Sequence, residues 1–233
     1  MKDTLMVHYI STNLMNNAAK FCHNSIQGHA HNLFGIQYHP GKASVRWAMG
    51  VGCLLDLNSP AARYGSKAII KVPMMGCGML IGKTKRFLVI SDLHIPYQHP
   101  DAFAFLKALH KKYKFTDILC VGDLYDHHKG SYHESEGDAH SPEEEYQLSK
   151  MYAHELQAIF PTMVITVGNH DLIPVRKLKS AGLPSSMLTD MNKLYETKKT
   201  WTWCQEHWFD SFGAQPQLAP MHMTKKGRWT GQL

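Results

Sequence analysis

Three short apolar runs, each followed at once by a polar cluster, constrain this 233-residue chain more than any other feature. The runs at 87–91, 117–121 and 163–167 lead into Asp92-Leu93-His94, Gly122-Asp123-Leu124-Tyr125-Asp126 and Gly168-Asn169-His170-Asp171. Helical patterns at 100–113 and 142–160 separate them, so the runs are predicted to be strands of a largely parallel, buried sheet. Because ligands bind at the carboxyl edge of such sheets, we expect the three polar clusters to lie together there.

The residue types in these clusters are those of a metal site. Carboxylate, imidazole and amide donors suit Mn, Fe, Zn or Ni. A fourth cluster, Gly28-His29-Ala30-His31, adds two imidazoles that would share one face of a strand. Two ions about 3.5–4 Å apart, bridged by one carboxylate, would clamp both the attacking and the leaving oxygen of a phosphoryl transfer.

Composition limits the class of protein. Hydrophobic residues make up 44% and charged residues 19% of the chain, as in folded globular proteins. The five cysteines are scattered and include no Cys-x-x-Cys pair, which argues against a disulfide framework and favours a reducing, cytoplasmic location. No apolar run of about 18 residues predicts a membrane span. The formal charge of +6 is compatible with a phosphate-bearing partner.

The remaining segments have weaker patterns. Apolar residues at helical spacing predict an amphipathic helix over residues 3–20. Short alternating runs between Gly and Pro predict an antiparallel β region over 25–80, with strands at 34–38, 44–49, 68–72 and 79–81. Residues 82–86 are short, polar and basic, which is typical of a linker, and the tail from residue 200 has no clear assignment.

Taken together, Asp-x-His, Gly-Asp-x-x-Asp, Gly-Asn-His-Asp and Gly-His-x-His resemble the motifs of the calcineurin-like metallophosphoesterase superfamily. The run from Ser91 to Tyr97, and residues 31–38 leading to Trp47-Ala48-Met49, resemble its small phage-encoded branch. The resemblance implies one domain with a four-layer α-β-β-α sandwich of two mixed sheets. It also implies two divalent metal ions (Mn, Fe, Zn or Ni, with Mg less favoured) and, for a phage protein, the host cytoplasm.

The order of the motifs differs from that of the family. There Gly-His-x-His comes last, whereas here it precedes Asp92. Residues 1–81 are similar to the family's C-terminal part and 87–233 to its N-terminal part, with 82–86 joining them. The chain therefore resembles a circularly permuted member, a rearrangement tolerated where termini lie close together at the surface.

Carried onto this chain, the resemblance implies a role for each motif residue. One metal would be held by Asp92, His94 and His31, the other by Asn169, His29 and His222, with Asp123 bridging the two. His170 would stabilise the transition state or protonate the leaving oxygen, and Asp171 would orient His170.

The seventh ligand has two candidates. The family has a lone metal-binding His between its Gly-Asn-His and Gly-His-x-His motifs, and a permutation would place it near one terminus. His222 is preferred, because the His222-Met223-Thr224-Lys225 run is similar to the family's approach to that His. His8 is the alternative, although it falls within the predicted helix rather than at a strand end.

The function expected from the resemblance is hydrolysis of phosphate esters by a hydroxide that bridges two metal ions. A phosphodiesterase is favoured over a monoesterase, because no large cap domain is present to select one small monoester. Two alternatives remain. A nuclease-like enzyme acting on nucleotides or nucleic acid would have a basic groove beside the site, and a non-catalytic member would bind metal without turnover.

Overall fold

The computed structural model describes residues 2–21, 23–41, 44–66, 72–131, 137, 139–223 and 229–231. In chain order, its strands are β1 (Thr4–Val7), β2 (Asn24–Gln27), β3 (Phe34–Pro40), β4 (Val45–Val51), β5 (Gly76–Ile81), β6 (Arg86–Ile90), β7 (Asp117–Cys120), β8 (Met163–Thr166), β9 (Trp201–Cys204), β10 (Glu206–Phe209), β11 (Gln215–Met223) and β12 (Trp229–Gly231). Its α-helices are α1 (Leu14–Phe21), α2 (Pro60–Ser66), α3 (Ala102–Tyr113), α4 (Pro142–Ile159), α5 (Ile173–Ser180) and α6 (Met191–Leu194).

The strands form two mixed sheets. The smaller has the order β10-β1-β2-β4-β3, in which β1, β2 and β4 run parallel and the outer two strands run antiparallel to their neighbours. The larger has the order β12-β11-β5-β6-β7-β8-β9, in which β6 to β9 run parallel. Each sheet therefore has its own carboxyl edge of parallel strands.

The three strands predicted from the apolar runs are confirmed. They are β6, β7 and β8, and they lie side by side, with Phe87 opposite Asp117 and Leu119 opposite Val164. The helices predicted between them form as α3 and α4. Helix α4 begins at a capping box, in which Ser141 Oγ accepts the Glu144 N–H and the Glu144 carboxylate accepts the Ser141 N–H.

One group of fully buried side chains comes from both sheets. Its largest aliphatic members at 0% exposure are Met6, Ile26, Met49 and Val51 from the smaller sheet, and Leu80, Val89 and Val121 from the larger sheet and its carboxyl edge. Burial of each such side chain contributes roughly 1.5–3 kcal/mol. A second cluster packs α3 and α4 against the larger sheet through residues such as Leu106, Leu156 and Leu88.

Residues 3–20 do not form the single helix that their spacing predicts. Leu5, Met6 and Val7 lie in β1, and helix α1 begins only at Leu14. Strand β1 pairs with β2 on one side and β10 on the other, and Met6 is fully buried. Two ladders of backbone hydrogen bonds and this burial outweigh a local helical periodicity.

The β region is mixed rather than antiparallel, because β2 and β4 are parallel neighbours, and helix α2 interrupts it. The predicted linker at 82–86 is a tight turn between β5 and β6, closed by the Gly82 N–H on the Lys85 carbonyl at 3.0 Å. The predicted strand at 68–72 lies almost wholly outside the described residues. The unassigned tail provides strands to both sheets.

Asp3 ties the start of the chain to its late segment. Its two carboxylate oxygens accept the N–H and the hydroxyl of Ser211, both at 2.9 Å, beside the β1–β10 pair. We expect Asp3→Ala to lower the free energy of unfolding by about 1–3 kcal/mol, since these two hydrogen bonds and a third from the Thr4 hydroxyl at 2.8 Å are lost. Urea unfolding measures it. Asp101→Ala is the control, because that carboxylate makes no capping hydrogen bond, and a change of the same size in both variants would contradict the prediction.

Candidate metal centre

The polar side chains after five parallel strands meet between the two sheets. Strands β6, β7 and β8 of the larger sheet lead into Asp92 and His94, Asp123, and Asn169. In the smaller sheet, β1 leads directly into His8 and β2 into the Gly-His-x-His run at 28–31. The carboxyl edges of both sheets thus supply one site.

The backbone at this site is unusual. His29, Asp92, His94 and Asp123 all have positive φ, between 48° and 62°, a conformation uncommon for residues other than glycine. Each is a candidate ligand. Strained conformations of this kind cost about 1–3 kcal/mol apiece and cluster at functional sites, where the surrounding structure imposes them.

Two glycines allow the loops to approach the carboxylates. A Cβ on Gly28 would lie 1.9 Å from Ser91 Oγ and 2.5 Å from Asp92 Oδ2, and a Cβ on Gly168 would lie 2.0 Å from Asp123 Oδ1. A side chain at Gly28 would push the loop after β2 away from the loop after β6 of the other sheet, and one at Gly168 would push apart the loops after β7 and β8. This is the physical reason why glycine opens the Gly-His-x-His and Gly-Asn-His-Asp runs.

The first cluster contains His31, Asp92 and His94, whose candidate ligand atoms all lie within 4.8 Å of one another. Asp92 Oδ1 is 3.2 Å from His31 Nε2 and 3.9 Å from His94 Nε2. The other oxygen, Oδ2, accepts the His29 N–H at 2.9 Å and a very short hydrogen bond from Ser91 Oγ. These bonds hold the carboxylate so that Oδ1 faces the two imidazoles.

The second cluster contains His8, His29 and Asp123, with Asn169 beside it. His8 Nε2 is 3.1 Å from Asp123 Oδ2 and 3.1 Å from Asn169 Oδ1. His8 Nδ1 lies 2.6 Å from the Val121 carbonyl, which can only accept, so Nδ1 carries a proton. The nitrogen that faces the cluster is therefore Nε2, the arrangement typical of metal-binding histidines.

Asp123 stands between the two clusters. Its Oδ2 lies 3.1 Å from His8 Nε2 of the second cluster and 3.9 Å from His94 Nε2 of the first. Its Oδ1 accepts the His170 N–H at 2.7 Å. The side chain is 1% exposed, and one carboxylate thus faces donors of both clusters.

Two buried atoms show that these residues fit a metal. Among the described residues, Asp92 Oδ1 and His94 Nε2 are buried and form no hydrogen bond. Such orphaned atoms are costly unless something else binds them. Ligands at about 2.0–2.2 Å from one ion lie at most about 4.4 Å apart, which matches the spacings here. Carboxylate and imidazole donors without thiolate suit divalent ions, so the clusters fit such ions.

Without metal the site holds protons. Burial alone would lower the pKa of His8, but the charge of Asp123 and its hydrogen bond, with the charge of Asp92, raise that pKa to about 10. The contacts with His8 in turn hold the pKa of Asp123 below its usual value, although burial acts to raise it. Imidazole binds metal only when neutral, so a metal at His8 must displace a proton.

His170 is oriented by Asp126 and not, as the sequence suggested, by Asp171. His170 Nδ1 lies 3.1 Å from Asp126 Oδ1 and 2.8 Å from the Asp126 carbonyl. The same carboxylate is 2.5 Å from His94 Nδ1. Asp171 accepts the Tyr125 and Gly168 N–H groups, so it holds the two loops rather than the imidazole. Asp171 is adjacent to His170 in sequence, but its carboxylate is directed to backbone N–H groups because the turn after β8 brings it back to Gly168.

His127 contacts the backbone of the loop that carries His170. Its Nδ1 lies 3.1 Å from the His170 carbonyl, which only accepts, so Nδ1–H donates and Nε2 accepts the Tyr195 hydroxyl at 2.7 Å. Burial lowers the pKa of His127 to about 4, which keeps this neutral form.

His8, one of the two candidates for the seventh ligand, lies beside Asn169 and Asp123. His222 lies in β11 opposite Thr230, and its side chain is outside what the structure describes. The sequence signal for His8 was present, because the apolar run at 5–7 is followed by a polar residue as the three longer runs are. The helical spacing over 3–20 obscured it.

Carboxylates and imidazoles that gather at the strand edges of an α/β fold, as they do around Asp123, are typical of a metal-binding site. The model of the calcineurin-like phosphoesterase family matches residues 85–223, more than half of the chain, and the chain belongs to this family. Membership implies a hydrolase that acts on phosphate esters and uses divalent metal ions. The match includes Asp92, His94, Asp123 and Asn169, whereas His8 and the Gly-His-x-His run precede it.

Comparisons with curated proteins and with solved structures give no significant match. In the part of the chain that the structure describes, no helix is both long and apolar enough to cross a bilayer.

The two candidates for the seventh ligand can be separated by metal content. We expect His8→Ala to lose about one ion per chain, since Nε2 beside Asn169 and Asp123 is removed, and His222→Ala to retain the wild-type content. Elemental analysis after dialysis against buffered Mn²⁺ measures both. Loss of an ion from His222→Ala alone would assign the seventh ligand to His222 instead.

Asp126→Asn tests the orientation of His170. The hydrogen bond to Asp126, with the charges of Asp123 and Asp126, raises the pKa of His170 to about 9 against the effect of burial. Activity that needs protonated His170 is lost as pH rises through this pKa. We expect Asp126→Asn to lower turnover about 10–100-fold and to move this alkaline limb to lower pH. The pH dependence of kcat/KM measures it, and an equal shift of the limb in Asp171→Asn would favour the sequence-based assignment.

Proposed function

We propose that this chain is a phosphodiesterase that uses two divalent metal ions. One ion would be held by Asp92, His94 and His31, the other by His8, His29 and Asn169, with Asp123 shared between them. The position of Asp123 between the two clusters carries this proposal. His8 thereby replaces His222 in the ligand set first expected.

Bound divalent ions supply Lewis acidity toward phosphoryl oxygens and lower the pKa of water toward neutrality. The protein residues then have distinct tasks. Asp123 keeps the two clusters at a fixed separation, because its Oδ1 is anchored on the His170 N–H. His170, held at Nδ1 by Asp126, lines the cavity over the clusters and donates a proton to the leaving oxygen.

The charge of the cavity favours a diester over a monoester. Among its described lining residues there is no Lys or Arg. A phosphodiester carries one negative charge, whereas a monoester near neutral pH carries up to two, so a monoester would gain more from a Lys or Arg at the cavity wall. The same absence argues against a nuclease, since nucleic acid binding relies on phosphate contacts with Lys and Arg.

Several features support the permuted architecture that we propose. Residues before the 82–85 turn and residues after it contribute to both sheets, through the β1–β10 and β5–β11 pairs, as in one domain. Apolar side chains pack between the two sheets, α3 and α4 pack on the larger sheet, and α1 packs on the smaller one. This arrangement supports four layers. The family match begins at residue 85, and three ligands precede it. A phage origin and a cytoplasmic location remain part of the proposal.

Turnover with added metals tests the function. Metal-stripped protein is mixed with bis(4-nitrophenyl) phosphate or 4-nitrophenyl phosphate, and Mn, Ni, Zn, Fe or Mg is returned. We expect metal-dependent release of 4-nitrophenol, with the diester preferred. Preference for the monoester would overturn the diesterase assignment. Silence with every metal, in folded protein that retains two ions, would identify a non-catalytic metal-binding member.

Asp123→Asn should remove activity and most of the bound metal. An amide has no charge with which to balance two ions, and the shared ligand is lost to both clusters. Turnover and metal content are measured together. Asp117→Asn is the control, since that carboxylate pairs with Lys85 at the protein surface. Near-normal turnover of Asp123→Asn would contradict the two-ion proposal.

A further inference from the structure

The cavity over the metal clusters has two chemically different faces. Its volume is about 390 Å³, near the small end of ligand pockets. One face is formed by candidate ligands and His170. The other includes five apolar side chains and one tyrosine (Leu55, Leu57, Ala61, Ala62, Pro73 and Tyr9), and Thr12, Ala30 and Asn32 complete the lining. A phosphate needs only the first face, so the second is available to an ester group.

The apolar wall is built into the fold. Leu55 and Ala61 are 2% and 4% exposed and pack with Cys53 and Tyr97 in a small core of their own. The backbone of this segment is fixed on the Asp92 loop, because the Leu54 N–H donates to the Asp92 carbonyl at 3.1 Å. A hydrogen bond from the Asp56 N–H to the Tyr97 carbonyl at 2.8 Å adds to this. The wall therefore keeps its place relative to a metal ligand.

Tyr9 provides an aromatic surface at the same cavity. It follows His8 directly, and its ring centroid lies 4.7 Å from that of His29 at an interplanar angle of 57°. Its side chain is nevertheless 48% exposed. A large ring held against a candidate ligand and still open to the cavity is suited to contact with a planar group of a bound molecule.

We infer that the apolar wall and Tyr9 form a subsite for an aromatic ester group, so that the substrate class is a phosphodiester bearing at least one aryl or nucleoside substituent. This rests on the proposed function, because the metal clusters must hold the phosphate for the subsite to act. The ring stacks on Tyr9 and its edge contacts Leu57 and Ala62.

The binding of two substrate-like phosphodiester anions tests the subsite through affinity rather than through turnover. Diphenyl phosphate and diethyl phosphate carry the same single charge and differ only in their ester groups. Calorimetry on Mn²⁺-loaded protein is expected to give at least about tenfold tighter binding of diphenyl phosphate, since stacking of a ring on an aromatic side chain contributes about 1–3 kcal/mol. Equal affinities would overturn the inference.

Variants locate the preference. Tyr9→Ala is expected to reduce it to within about twofold, and Tyr9→Phe to retain it. Tyr38→Ala is the control, because Tyr38 is 49% exposed and lies on β3 outside the cavity lining. Metal content is measured in each variant, as Tyr9 adjoins His8. If Tyr9→Ala loses metal, Leu57→Ser takes its place and should weaken only diphenyl phosphate. If the variant that retains its metal still prefers diphenyl phosphate to the same extent as the wild type, the inference is overturned.

Hydrolysis of bis(4-nitrophenyl) phosphate separates this inference from the function on which it rests. Tighter binding of diphenyl phosphate without any turnover would support the subsite and overturn the proposed phosphodiesterase activity. Turnover with equal binding of the two anions would support the activity and overturn the subsite.

Discussion

Three aspartates, Asp92, Asp123 and Asp126, are buried to 1% exposure or less at one junction between two sheets, and much of the site is arranged around their charge. Buried carboxylates are costly unless they are paired or bind metal. Here each faces imidazoles, and Asp92 keeps one oxygen directed at two of them while the other is held by hydrogen bonds. This concentration of negative charge explains both the raised pKa of His8 and the fit to divalent ions.

Bringing these charges together imposes demands on the backbone. Four candidate ligands adopt positive φ, and glycines stand where any Cβ would collide with a carboxylate. The cost is offset by the apolar contacts between the sheets, which set the distance between the β2 loop and the β6 loop. The arrangement leaves a cavity with a charged face and an apolar face, and the proposed substrate class follows from that contrast.

Much of the larger sheet and of its ligands could be predicted from the sequence. Each of β6, β7 and β8 is a short apolar run followed directly by candidate ligands, so one local pattern indicates both the strand and the site. The smaller sheet was predicted less well. β1 was predicted as part of a helix because its apolar residues continue the helical spacing of the α1 residues. Its pairing with β10 joins residues about 200 positions apart, which a local pattern does not reveal.

The sequence by itself determined the chemistry of the site and its placement at the ends of parallel strands, since donor types and apolar runs are local properties. Only the tertiary structure decided which groups face one another. It brought His8 to Asn169, gave the orientation of His170 to Asp126 rather than to the adjacent Asp171, and set an apolar wall beside the clusters. The physical reason is that these contacts join segments far apart in the chain, and their geometry depends on how two sheets pack.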